Sequence, residues 1–246
     1  MVIHRTITCW LLACIATSAG LPLAYGVEES WNAKFQTTYI WQGKAPFNAA
    51  YSGPNSLSPE REKSYSFTGT AYFGMRPWAG GELYFNPEVA QGVPLSDLTG
   101  LGGLTNGEIA RTAGPNLKLY TARAFLRQSW GLGEIQDAVD SGANQLAGKV
   151  HRRLIALTVG KLSVTDIFDN NTYSHDPRTQ FINWSIMTAG AYDYAADARG
   201  YSWGAALWST ITTIGPFALA ASSSLKYPTS LFWIGMFSIT TAIRSK

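Results

Sequence analysis

The sequence predicts an all-β protein, an antiparallel transmembrane β-barrel of which this chain supplies roughly six to eight strands up to Leu207. Several segments alternate apolar and polar residues with a period of two, which places their aromatic rings on one face of a strand. Aromatic residues make up 13% of the 246 residues, nine of them Trp, as in membrane barrels with rings at both interfaces. The mean hydropathy of −0.03 is too low for a bundle of spanning helices.

Composition also limits other classes of protein. A secreted β-sandwich would share much of this composition, so it stays open as an alternative fold. The net charge of +3 is small, and the charged residues are scattered along the chain. We therefore expect no nucleic-acid partner.

Residues 1–26 have the pattern of a secretory signal peptide. An apolar run over 7–19 follows a weakly basic start, and small residues at 24–26 offer a cleavage site. A lipoprotein signal ending at Cys14 is the alternative. Both cysteines, Cys9 and Cys14, lie in this segment. The exported protein would therefore have no thiols, which excludes disulfides and thiolate metal sites.

The clearest strand pattern runs from Trp31 to Gln42, where Trp31, Phe35 and Tyr39 share one face and mostly polar residues occupy the other. Similar alternation predicts strands at 64–76, 82–88, 118–130, 152–164 and 200–207. A proline-containing loop connects the first two strands, and a glycine-rich segment at 91–115 shows no usable period.

The alternation also assigns side chains to faces. In the 118–130 strand it places Tyr120 and Ala122 opposite Arg123 and Arg127. Residues 131–149 are polar and loop-like, and we expect at most a helical turn over 134–139.

Five longer strings resemble the carbohydrate-selective porin family of Gram-negative outer membranes. They are WNAKFQTTYIWQGK, AAYSGPNSL, ELYFNPEVAQGVPLSDLTGLGGLTNGE, SHDPRTQFINW and GAYDYAADARGYSWGAAL, spread between Trp31 and Leu207. The resemblance implies a closed barrel of roughly sixteen antiparallel strands. It also implies a water-filled channel for passive diffusion of small neutral sugars, and insertion into outer-membrane lipid by the assembly machinery. No cofactor and no catalytic step are expected, and the oligomeric state stays open.

The composition changes at Trp208, after which the chain contains no Asp or Glu. The apolar stretch 229–243 is shorter than the about 20 residues that a spanning helix needs. With suitable codons, a one-base shift turns TIGPFALA into DWAFRAG and FSITTAIRSK into NHYGDQVE, and both products resemble later strands of the porin family. We therefore expect three segments: the signal peptide, part of a porin barrel at 27–207, and a frameshift product at 208–246.

A sugar-selective channel needs charged and amide groups that pair with hydroxyls, and aromatic rings that stack on the sugar ring. The alternation points several such side chains inward, and a polar segment after residue 165 adds others. The predicted pore-lining residues are Arg76, Glu82, Tyr84, Arg123, Arg127, Asp166, Asp169, Asp176 and Arg178. The alternative is that these charges form ion pairs that only solvate the wall.

The polar segment also allows two further interpretations. The cluster from Asp166 to Asp176 has hard oxygen ligands that could pass or bind a divalent cation, as in a metal-uptake porin, but its spacing matches no EF-hand loop. Ser174, His175 and Asp176 are the residue types of a hydrolase, yet adjacent residues cannot form a triad without partners elsewhere. We therefore predict no enzyme and no bound metal.

Overall fold

A computed structural model of the chain describes residues 28–98, 100–109, 114–168, 173–188, 196–210, 218–223 and 232–236. The strands are β1 (Trp31–Lys44), β2 (Glu62–Trp78), β3 (Gly81–Val93), β4 (Lys118–Gly131), β5 (Gln136–Val139), β6 (Gly148–His151), β7 (Leu154–Leu162), β8 (Ser202–Ser209), β9 (Ala218–Ser223) and β10 (Phe232–Met236). A single helical turn, α1 (Thr165–Phe168), and two 3-10 turns, Leu95–Leu98 and Gly100–Gly103, lie between strands.

Eight of these strands form one sheet in the order β1-β2-β3-β4-β7-β8-β9-β10, and β5 and β6 form a second sheet of two strands. Every pairing in the large sheet is antiparallel. The predicted all-β, antiparallel fold is confirmed, and the described residues up to Ser209 contain eight strands. Among the described residues, no helix is long and apolar enough to cross a bilayer.

The long strands expose apolar side chains on one face and bury polar side chains on the other. Phe35 on β1 is 68% exposed, whereas Thr70 on β2 is 1% exposed. Ser64, Ser66 and Thr68 are also buried. Soluble proteins show the reverse arrangement, because their apolar side chains fill the core. We call the polar side the inner face and the apolar side the outer face.

The two ends of the sheet differ in their connections. At one end, which we call the short-turn end, Ala79 and Gly80 alone join β2 to β3. Gly80 has φ +73, and a Cβ atom there would lie 2.4 Å from the carbonyl oxygen of Ser129, so glycine is required. The opposite, long-loop end carries the connections 45–61, 94–117 and 163–201. In bacterial membrane barrels, short turns face the periplasm and long loops face outward.

A β-bulge interrupts the alternation of β4. Asn86 on β3 pairs with Arg123 and Pro87 pairs with Thr121, which leaves Ala122 as an extra residue. Tyr120 therefore lies on the inner face, where its hydroxyl donates a hydrogen bond to the Glu88 carboxylate. The prediction that Tyr120 and Arg123 lie on opposite faces is wrong, because it assumed an unbroken period of two.

Residues 132–153 form a β-hairpin. The expected helical turn at 134–139 is wrong: Gln136–Val139 is a strand that pairs with β6. At the base of this hairpin, the Leu132 N–H donates to the Arg153 carbonyl oxygen at 2.7 Å. An exposed ion pair of 2.5 Å between Arg152 and Asp137 links its two sides.

Candidate functional site

The inner face and the segments that fold over it from the long-loop end enclose a cavity of about 400 Å³. Four strands supply its wall, through Gln36, Thr68, Tyr72, Glu88, Tyr120 and Arg123. The facing side includes Asp176, Arg178, Trp184, Arg199 and Tyr201. This volume lies within the range of about 300–1,000 Å³ typical of small-molecule sites.

Arg178 joins the segment 173–188 to the strand wall. Its Nε atom lies 2.6 Å from Glu108 Oε1, and its Nη2 atom lies 3.0 Å from Glu88 Oε2. The side chains of Glu88 and Glu108 are 5% and 6% exposed. The remaining nitrogen, Nη1, lies 3.3 Å from both Gln36 Oε1 and the Tyr72 hydroxyl. One guanidinium thus pairs with two buried carboxylates, an arrangement that is costly to break.

Asp176 positions Arg178 through hydrogen bonds to the backbone and to Thr179. Its Oδ1 atom accepts the Arg178 backbone N–H at 2.9 Å, and its Oδ2 atom accepts the Thr179 hydroxyl at 3.1 Å. This is the usual way in which an aspartate stabilises a tight turn. The carboxylate of Asp176 therefore shapes the turn that presents the guanidinium to the cavity.

Glu108 comes from the β3–β4 connection, which also folds onto the inner face. Asn106 is 2% exposed, and its Nδ2 atom donates to Ser66 Oγ at 2.9 Å. The Glu108 carboxylate accepts a hydrogen bond from the Thr68 hydroxyl. Backbone hydrogen bonds then join this connection to the segment 173–188, from Gly107 N–H to the Ile182 oxygen at 2.6 Å and from Trp184 N–H to the Leu104 oxygen at 2.9 Å.

Arg123 and Asp166 form the second ion pair of the cavity. The guanidinium donates two hydrogen bonds to the carboxylate, at 2.7 Å from Nε and 2.6 Å from Nη2. The ring of Tyr201 lies 5.0 Å from the guanidinium carbon, within range of a cation–π interaction. Two-point pairing of this kind fixes the orientation of both side chains.

A third arginine lies against an aromatic ring. The guanidinium carbon of Arg199 is 3.9 Å from the centre of the Tyr120 ring. The hydroxyl of that tyrosine donates to Glu88, which also accepts a hydrogen bond from Thr70. Through Glu88, Arg199 and Arg178 belong to one connected polar group.

The pKa values of two carboxyl groups outside the strands move in opposite directions. Burial raises the pKa of the Glu108 carboxyl above its usual value, although the charge of Arg178 opposes this shift. Burial acts in the same sense on Asp166, but Arg123 and the Ser163 N–H together hold its pKa below the usual value. Of these two, Glu108 is the carboxyl that takes up a proton more readily.

The remaining predicted residues form a separate group nearer the short-turn end. Arg76 Nη2 lies 2.9 Å from Glu82 Oε1, and Arg127 Nη1 lies 3.7 Å from Glu82 Oε2. The Tyr84 hydroxyl donates to Glu82 at 2.8 Å, and the Arg127 guanidinium carbon lies 5.3 Å from the Tyr84 ring. Arg76 also pairs with Glu28 at 2.9 Å.

The structure divides the predicted pore-lining residues into two groups on the inner face. Arg123, Asp166, Asp176 and Arg178 line the cavity, whereas Arg76, Glu82, Tyr84 and Arg127 form the second group. Asp169 lies outside the described residues. Several residues of the cavity and its contacts were not among those predicted, including Glu88, Glu108, Tyr120, Arg199 and Tyr201. Glu88 continues the alternation of Glu82, Tyr84 and Asn86, so that pattern could have identified it.

Among the described residues, neither the metal nor the hydrolase interpretation gains a matching arrangement, and positions 169–171 of the acidic cluster lie outside them. The described residues contain no group of three or more His, Cys, Asp or Glu side chains placed to hold a metal ion. The Ser174 hydroxyl donates to the backbone oxygen of Ile186, and the His175 backbone N–H donates to Gln180 Oε1 at 2.6 Å.

Comparison with known proteins gives one finding. The model of a family described as carbohydrate-selective porin, OprB family, matches residues 75–221. No curated protein and no solved structure matches the chain. The family match ends within the segment 208–246, whose origin as a frameshift product stays a prediction.

Proposed function

Since the chain belongs to the carbohydrate-selective porin family, we propose that it carries small neutral sugars by passive diffusion through a water-filled channel along its inner face. This family is one of outer-membrane transport channels. The antiparallel strands of this chain match the architecture of a membrane β-barrel, with apolar rings outward and polar groups inward. We further propose that residues 1–26 are a cleaved export signal and that the outer face contacts outer-membrane lipid.

The main support for the proposal is that negative and positive side chains around the cavity largely balance each other. Four carboxylates, Glu88, Glu108, Asp166 and Asp176, and three arginines line the cavity. Arg178 and Arg123 lie within hydrogen-bond distance of three of those carboxylates. Paired charges leave little net field along the path, so neither cations nor anions are strongly favoured. A neutral solute meets the donors and acceptors without an electrostatic penalty.

The same groups suit the chemistry of a polyhydroxylated solute. A sugar hydroxyl both donates and accepts hydrogen bonds, and it can exchange water for carboxylate oxygens and guanidinium N–H groups. Trp184 and Tyr201 also line the cavity. Their rings can cover the apolar face of a sugar ring. Both features favour sugars over apolar solutes of the same size.

Liposome swelling tests the proposed function. Proteoliposomes that contain the full chain should swell with glucose and arabinose faster than with gluconate, because the anion gains nothing from a compensated wall. Empty liposomes and liposomes with heat-denatured protein are the controls. Inserted, folded protein that gives no swelling with either sugar would contradict the proposal.

Two charge variants test the compensation itself. Asp166→Asn leaves Arg123 unpaired and should shift the reversal potential of planar bilayers toward anion preference, whereas Arg123→Gln should shift it toward cation preference. Arg61→Gln, at an exposed position outside the cavity, should leave the reversal potential unchanged. Shifts of the same sign in both cavity variants would refute the compensation argument.

A further inference from the structure

The strands β5 and β6 form a hairpin that is separate from the large sheet. The two strands pair with each other and make few contacts with the strands of the large sheet. Gly131 and Gly133 precede β5, and a side chain at Gly133 would meet no other atom within 4 Å. Residues 141–147, which lie between the two strands, are the part that reaches the inner face, and we call them the hairpin tip.

Polar groups hold the hairpin tip against the start of β1. Asn32 Nδ2 lies 3.2 Å from Ser141 Oγ and 3.0 Å from the Gln145 carbonyl oxygen. Glu29 makes two hydrogen bonds with Ala147. The Glu29 N–H donates to the Ala147 carbonyl oxygen at 3.0 Å, and the Ala147 N–H donates to the Glu29 carboxylate at 2.9 Å. These bonds connect segments more than 100 positions apart in the sequence.

The hairpin tip lies across the second group of predicted residues. Leu146 is 1% exposed, and Arg127 Nη1 lies 3.4 Å from the carbonyl oxygen of Asn144. A Cβ atom at Gly148, next to the tip, would lie 3.3 Å from Arg76 Nη1. Arg76 and Arg127 thus lie beside the hairpin, with side chains that are 15% and 27% exposed.

Ala143 and Asn144 of the hairpin tip line the same cavity as Arg178 and Asp176. The segment 173–188 enters from the long-loop end, whereas the hairpin starts and ends at the short-turn end. Two separate segments therefore border the cavity from opposite ends of the sheet.

The docking of the hairpin tip is incomplete in its hydrogen bonding. Asn144 Oδ1 and Arg127 Nε are both buried without a hydrogen-bond partner among the described residues. A buried polar atom without a hydrogen-bond partner destabilises the docked state, because water would hydrogen-bond to the same atom if it were exposed. Movement of the tip away from the wall would hydrate both atoms, which lowers the cost of undocking.

We propose that the hairpin tip is a second restriction of the solute path, in series with the segment 173–188, and that it undocks to admit larger solutes. The inference rests on the proposed channel function. The hairpin tip, at the short-turn end, would then set the largest size of solute that passes. The charge pairs of the cavity would select solutes by charge and polarity.

A reversible cross-link tests the undocking. Asn32→Cys and Ser141→Cys, combined in a chain that also lacks Cys9 and Cys14, place two thiols where the native polar atoms lie 3.2 Å apart. A short bis-methanethiosulfonate reagent, which joins the two thiols through disulfides, should hold the tip docked, and dithiothreitol should reduce those disulfides and release it. Swelling with a trisaccharide should be lost in the cross-linked protein and return on reduction, whereas swelling with arabinose should persist. The two single-cysteine variants, treated identically, should show no change.

A shortened hairpin provides the second arm. Replacement of 141–147 by an Asn-Gly turn should let trisaccharides enter faster than in the parent protein, with heat-modifiable gel mobility as the check of folding. If the cross-linked and reduced proteins admit the same sugars, the tip does not undock and the inference fails, even if the shortened protein cannot fold. If the parent and both variants insert but admit no sugar, the proposed channel function itself fails.

Discussion

Removal of the Arg178 side chain should undock the segment 173–188 from the strand wall. In Arg178→Met, the carboxylates of Glu88 and Glu108, whose side chains are 5% and 6% exposed in the parent structure, lose their shared cation. Loss of one partner from a buried ion pair costs about 3–5 kcal/mol. Since about 1.4 kcal/mol corresponds to a factor of ten, the undocked population should rise by about a hundredfold or more.

Hydrogen exchange measured by mass spectrometry can follow this change in detergent-solubilised protein. The amides of Trp184 and Gly107, which donate to Leu104 and Ile182, should exchange at least about a hundredfold faster in the variant, because local opening controls their protection. Amides in β2 and β3 should keep their protection from exchange. Arg61→Met is the matched control, because this arginine is exposed and outside the cavity. Unchanged protection of Trp184 in Arg178→Met would refute the argument.

Three further predictions follow from the same contacts. Because the pKa of Glu108 is raised in the folded protein, its contribution to docking should be complete below the usual carboxyl pKa and weaken as the pH rises through the raised pKa. The protection factors of 173–188, which remove the intrinsic pH dependence of amide exchange, should therefore fall with rising pH in the parent but not in Glu108→Gln. Replacement of Glu88 and Glu108 by Gln in the Arg178→Met background should restore much of the lost protection, because no unpaired charge is left buried; no recovery would show that the arginine acts through packing alone. On the outer face, Phe35→Arg should destabilise the lipid-inserted protein by up to about 2–4 kcal/mol in urea titrations, whereas Lys34→Arg on the inner face should have little effect.

Local patterns were sufficient to predict most of the large sheet. The alternation of β1 and β2 placed Phe35 and Phe73 on one face and Thr68 and Thr70 on the other, and the exposures agree. Such strands follow from sequence because each residue's environment depends on its parity within the strand. The bulge at Ala122 broke this rule. A single inserted residue leaves no compositional signal, so Tyr120 was assigned to the wrong face.

The candidate site could be predicted only in part, because its second half depends on long-range contacts. Arg123 and Arg178 were selected from the strand pattern and the polar segment, but their partners lie elsewhere in the chain. Glu108 comes from a glycine-rich connection without periodicity, and its burial depends on Asn106 docking onto β2. The hairpin of β5 and β6 likewise depends on Asn32, more than 100 positions away. Neither the burial of Glu108 nor the contact between the hairpin and Asn32 can be read from a local window of sequence.

The central claim is that the outer face of the strands contacts lipid and the inner face contacts water. Spin labels at successive positions of β1 test it directly, with single cysteines at 33, 34, 35 and 36 in a reconstituted chain that lacks Cys9 and Cys14. We expect labels at 33 and 35 to be relaxed by oxygen, which concentrates in hydrocarbon, and labels at 34 and 36 to be relaxed by a water-soluble nickel complex. Equal accessibility at all four positions, or the opposite alternation, would contradict it.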